Sequence, residues 1–136
     1  MIASYCDLMV WQKAMELAVA VYAATAKLPR DERFGLASQL QRAAVSVPSN
    51  IAEGHARQSQ REFAHFLSVA LGSLAEVSTQ VELAGRLAQL DNATVTDVNE
   101  RAEHLRAMLL SLLTAVRSRI GVRDGDPPEY LNEPTT

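Results

Sequence analysis

Apolar residues in this chain recur at spacings of three and four over four successive blocks, and that period limits what it can fold into. The third block is the clearest, with Phe63, Leu67, Ala70, Leu74, Val77, Val81, Ala84 and Ala88 on one stripe. The fourth offers Val95, Val98, Ala102, Leu105, Leu109, Leu112 and Val116; the second offers Leu36, Leu40, Ala43, Val47 and Ile51. A single stripe of this kind is one face of an amphipathic helix turned toward a core. Aromatic residues make up only 5% of the chain while Ala and Leu dominate, which favours helix over sheet.

Local signals divide the helices. Pro29 stops the first, which begins near Asp7, at Leu28, because the residue before a proline is pushed out of the α region. The second runs from about Phe34 to Glu53, with Gly54 as the left-handed residue that ends it. Pro48 lies inside it and predicts a kink near Ala44–Val47. Ser59 and Glu62 open the third as a capping box, and it reaches about Leu90, where Asp91 and Asn92 turn the chain. The fourth spans roughly Thr94 to Gly121. Helices of about twenty to thirty residues joined by short loops pack antiparallel with their neighbours. The expected fold is all-α, an up-down-up-down antiparallel four-helix bundle over residues 1–123.

The first helix differs from the others. Leu8, Trp11, Met15, Ala18 and Tyr22 form one stripe, and Val10, Ala14, Leu17, Val21, Ala24 and Leu28 a second. Only Gln12, Lys13, Glu16, Thr25 and Lys27 are polar between Leu8 and Leu28, too many for a membrane span and too few for a solvated face. A peripheral helix cannot bury both stripes inside one bundle. The expectation is a homo-oligomer, with the second stripe, Val10 to Leu28, against a sister subunit.

Charge is unevenly placed. The segment Asp124–Thr136 holds Asp124, Asp126, Glu129 and Glu133 and no base, so it accounts for more than the whole net charge of −3 and leaves residues 1–123 at +1. With Pro127, Pro128 and Pro134 it reads as a disordered, solvated tail. The single cysteine, Cys6, rules out a disulfide framework and a cysteine zinc site, and no basic, signal-like stretch precedes the first apolar block. A cytoplasmic location is expected.

The stretches Asp7–Leu17, Gly35–Ala44, Val47-Pro-Ser-Asn-Ile-Ala-Glu-Gly54, Glu62-Phe-Ala-His-Phe-Leu67 and Gly72-Ser-Leu-Ala-Glu76 together resemble the bacterial four helix bundle protein family. That family includes proteins encoded by intervening sequences in 23S rRNA genes, once labelled ribosomal proteins. The accessory protein of diversity-generating retroelements is a relative. The likeness covers roughly Ser4–Ile120. It implies a four-helix protomer assembled as a homopentameric barrel, and the retroelement relatives use such a barrel to engage a reverse transcriptase and nucleic acid. Those relatives are markedly basic, whereas residues 1–123 here carry +1. Arg42, Pro48, Asn50, Glu53 and Gly54 fall in the family's signature, with Asn50 and Glu53 either a recognition pair on one face or, with Arg42, parts of assembly and internal hydrogen bonding.

Catalytic constellations are weak by comparison. Glu62-x-x-His65 matches half of a di-iron motif, but no second such pair follows, and Glu62 is better used as a cap. The serines lack a nucleophile-elbow pattern, and no metal, cofactor or small-molecule substrate is implied. The basic residues are more suggestive. Arg57, Arg61 and His65 are four apart, and Arg101, Arg106, Arg117, Arg119 and Arg123 stand against Glu103 alone, a local +4. Arginines placed this way neutralise phosphates. No aromatic is interleaved with them, which argues against base stacking. The reading is a non-enzymatic scaffold or adaptor that partners itself and RNA, DNA or a nucleic-acid enzyme; the alternative is a module that binds only protein.

Overall fold

The computed structural model describes residues 8–124, the side chains of 121–124 excepted. Cys6, Asp7 and the acidic segment from Gly125 onward lie outside the described residues. Helices α1 (Met9–Thr25), α2 (Leu36–Ala56), α3 (Gln60–Arg86) and α4 (Asn92–Asp124) pack against one another, with one 3₁₀ turn at Arg30–Glu32 and no strand among the described residues. Cross-helix pairs give the directions. Gln39 meets Gln80 and Ser46 meets Ser73, so numbers rise on α2 as they fall on α3. Lys27 reaches Thr94 while Leu8 shares a cleft with Leu112, the same inversion between α1 and α4.

The seams of α2 and α3 lie where the periodicity puts them. Leu36, Leu40, Ala43, Val47 and Ile51 are buried, as are the α3 positions from Phe63 to Ala84. On α4 the stripe turns slightly, since Leu113 and Ile120 are buried while Val95 and Leu112 are only partly covered.

Helix α1 corrects the expectation about its faces. Val10, Ala14, Leu17, Val21, Ala24 and Leu28, assigned above to a sister subunit, are the core-facing stripe of this chain itself, with Ala14, Leu17 and Val21 fully enclosed. They have no surface left for another protomer. The outward stripe is the other one: Met15 and Tyr22 are exposed, with Val19 beside them at 69%, while Trp11 and Ala18 are half-covered.

Several boundaries also shift, each for a local reason. α1 stops at Thr25, whose hydroxyl donates to the Tyr22 carbonyl, and tighter bonds from Lys27 and Leu28 close the last turn before Pro29. α2 begins two residues after Phe34, with the Leu36 N–H turned toward the Glu32 carboxylate. It runs unbroken through Pro48 and through Gly54 to Ala56. α3 ends at Arg86, and the left-handed residue that closes it is Ala88 at φ 58°. Gln89 N–H bonds to the Ala84 carbonyl and Ala88 N–H to the Gly85 carbonyl, the paired bonds of a Schellman ending. α4 begins at Asn92 because the Asp91 carboxylate accepts the Thr94 N–H at 2.8 Å, an N-cap two residues ahead of the expected start. That hydrogen bonding, with help from Lys27, holds the Asp91 carboxyl below its ordinary pKa.

Gly54 does not end α2 as expected, since the helix continues to Ala56. It is a helical residue in contact with α3. A Cβ there would lie 2.7 Å from the Phe66 Cβ and 3.0 Å from the Phe63 ring. Glycine is needed because α3 approaches this closely.

Candidate arginine-bearing end

The antiparallel order brings the start of α1, the α2–α3 turn and the last turns of α4 to one end of the molecule. The turn is only a few residues long because Arg57, extended at φ −75° and ψ 151°, leaves α2 while Ser59 already caps α3. The Ser59 hydroxyl accepts the Glu62 N–H at 3.3 Å, the first half of the expected capping box. Glu62 is thereby placed in the first turn of α3. Among the described residues no group of three His, Cys, Asp or Glu is positioned to hold a metal ion.

Arg57, Arg61, Arg117 and Arg119 all belong to this end, and Arg123 follows in the last turn of α4, its side chain outside the described part. They are not bare charges. Arg57 pairs with Glu53 one helical turn back, and Arg61 and Arg117 are also engaged by neighbours. Arg57 is not in line with Arg61 and His65 on one helix, since it belongs to the turn before α3. The other two arginines of the α4 run lie elsewhere. Arg101 pairs with Asp97 and Arg106 with Glu103, both along the shaft of α4. Exposed pairs of this sort contribute about 0.3–0.5 kcal/mol each.

One arginine of this end does adjoin an aromatic ring, although no aromatic is interleaved with the arginines in the α4 sequence. The Arg57 guanidinium lies 5.2 Å from the Phe66 ring centre, and His55 meets Phe63 edge to face at 5.9 Å. The signal was present in the chain: His55 and Phe63 flank a short turn, which brings their rings into contact once both helices are drawn antiparallel.

Beside these groups opens a cleft of about 260 Å³, floored by Leu8, Phe63 and Leu112 and rimmed by His55, Arg57 and Arg119. Ligand pockets generally run from about 300 Å³ upward, so this space suits a side chain better than a metabolite. A second groove of about 230 Å³ lies between α1 and α4, lined by Lys13, Glu16, Glu100, Arg101 and His104.

The signature residues do not form one surface. Pro48 and Gly54 are buried, while Arg42 and Glu53 are exposed two to three turns apart. Asn50 is half-buried and turned inward. Its amide donates to the Ser46 carbonyl at 2.8 Å and to the Ser46 hydroxyl at 2.9 Å, and that hydroxyl lies 2.8 Å from the Ser73 hydroxyl on α3. Asn50 therefore serves the α2–α3 contact, while Glu53 pairs with Arg57.

Fold and site together define a class: an all-helical module with four arginines, Arg57, Arg61, Arg117 and Arg119, at one end and no helix long and apolar enough to cross a membrane among the described residues. The chain belongs to the 23S rRNA-intervening sequence protein family, whose model matches residues 6–111. Among solved structures it is similar to a protein of unknown function from the S23 ribosomal protein family of Bacteroides thetaiotaomicron, at 24% identity and a TM-score of 0.73. That alignment covers 77% of this chain and 98% of the Bacteroides one, a likeness of fold. No curated protein matches the chain.

Proposed function

We propose that this chain is a non-enzymatic, homo-oligomeric helical scaffold of the bacterial cytoplasm that meets RNA or DNA through the arginines at one end of its bundle. The observation that carries the reading is the convergence of Arg57, Arg61, Arg117 and Arg119 from the α2–α3 turn, α3 and α4 on that end. Three segments presenting cations together suit a polyanion better than any one helix face would. The family's link to an intervening sequence of rRNA points the same way.

Self-association rests on the outward stripe of α1. Met15, Val19 and Tyr22 are exposed together, with Trp11 and Ala18 beside them, and a contiguous apolar surface of this kind marks a contact site. Five subunits is the number the family resemblance implies.

A gel shift with structured RNA over a salt series tests the first part. Binding should weaken as salt rises, and Arg117→Ala with Arg119→Ala should lower the slope of log affinity against log salt by about one for each phosphate no longer neutralised. Absence of any shift at low salt overturns the nucleic-acid reading and leaves a module that binds only protein. Light scattering at micromolar concentration tests the second part, and a clean monomer overturns it.

A further inference from the structure

The cleft at the arginine end has the features of a seat for a short acidic segment with an apolar tip. Its floor is apolar and its rim carries Arg57 and Arg119. Gln60 is one of its lining residues, and the side-chain oxygen of Gln60 is buried and accepts no hydrogen bond among the described residues, an arrangement that favours an occupant bringing a donor as the glutamine turns toward it. α4 ends at Asp124, a turn and a half beyond Arg119, and the chain goes on as Gly125-Asp-Pro-Pro-Glu-Tyr-Leu-Asn-Glu133. Here Asp126, Glu129 and Glu133 surround Tyr130 and Leu131, an apolar pair with a hydroxyl donor and no cation nearby. Reach is sufficient: Arg119 lies roughly 7.5 Å back along the helix, and an extended segment from Asp124 to Tyr130 spans roughly 20 Å.

We propose that residues 126–133 fold back onto this cleft of the same chain. Tyr130 seats against Phe63 and Leu112 and offers its hydroxyl to Gln60, while Glu129 and Glu133 face Arg57 and Arg119. The N-terminal residues 1–7 adjoin Leu8 and are the competing occupant, but Asp7 is their only acidic residue, so they lack the charge to match the rim. The docking goes beyond the scaffold reading and does not rest on it, because its readout uses no nucleic acid.

The full chain has one tryptophan, Trp11, so Trp11→Phe with Tyr130→Trp places a single reporter in the segment. Seated, that reporter emits to the blue of free indole and is shielded from acrylamide. Arg57→Glu with Arg119→Glu should abolish both effects, and adding Glu129→Arg with Glu133→Arg should restore them. Circular dichroism confirms that each variant keeps its helices, and Leu131→Trp provides a second reporter if Tyr130→Trp perturbs the fold. A reporter that behaves as free indole in the starting protein overturns the proposal, as does one indifferent to the charge reversal. So does recovery of the blue shift when reporter chains with a reversed cleft are mixed with chains whose cleft is intact, since the segment would then sit on a neighbour.

Discussion

The α2–α3 seam and the α1–α4 seam are built from different materials. Between α2 and α3, Gly54 admits the Phe66 Cβ and the Phe63 ring, and a chain of hydrogen bonds from Asn50 through Ser46 reaches Ser73. Leu40, Val47, Ile51, Leu67 and Leu74 fill the rest without exposure. Between α1 and α4 the contact is fringed by a polar groove, and α1 spans only 17 residues against the 33 of α4. A seam held by close approach tolerates little change, whereas one held by a short amphipathic helix gives way first. The two should therefore fail at different thresholds.

The sharpest break is Leu67→Ala, which empties a fully enclosed site on α3. It should cost about 2–5 kcal/mol in urea unfolding followed by circular dichroism. Glycines separate packing from propensity. At Gly54 the added methyl would lie 2.7 Å from the Phe66 Cβ, so Gly54→Ala should lose up to about 3 kcal/mol to overpacking and regain about 1 kcal/mol of helix propensity, for a net loss of up to about 2 kcal/mol. At Gly72 nothing lies within 4 Å of a new Cβ, so Gly72→Ala should stabilise by about 1 kcal/mol in the same assay. Ala88→Gly should also stabilise, by about 1 kcal/mol, because an alanine now bears the left-handed conformation.

The smallest effect is a pH dependence at the start of α4. The Asp91 pKa is lowered on folding, so its contribution is present above the unfolded carboxylate value near 3.8 and is lost as pH falls through the folded one. Thermal unfolding between pH 5 and about 2 should therefore be less steep in Asp91→Asn, which caps without titrating, than in the parent. Hydrogen exchange completes the comparison: amides of α1 should exchange before those of α2 and α3.

Legibility followed how cleanly each helix separates its faces. In α2 and α3 polar and apolar residues alternate with the helical period, so the seam could be read directly. α1 is apolar on two sides, and which of them faces inward depends on where α2 and α4 lie, information that no local pattern carries. Gly54 and Ala88 exchanged expected roles for a similar reason. The usual association of glycine with helix ends yielded to the bulk of Phe63 and Phe66, and nothing marks an alanine as left-handed. At the candidate site, up-down order alone gathers Arg57, Arg61, Arg117 and Arg119, so the arginine end was legible. The pairings of Arg101 with Asp97 and of Arg57 with Glu53 were missed although their four-residue spacing carried the signal, whereas the Phe66 ring beneath Arg57 required the turn geometry.

The tight spot at Gly54 has one more effect. It fixes α2 against α3 within a turn of Arg57, and the Glu53 carboxylate and Phe66 ring hold that guanidinium on the resulting rigid base. A partner that grips Arg57 meets a handle already partly ordered when the chain folded, so less ordering entropy is left to lose on contact.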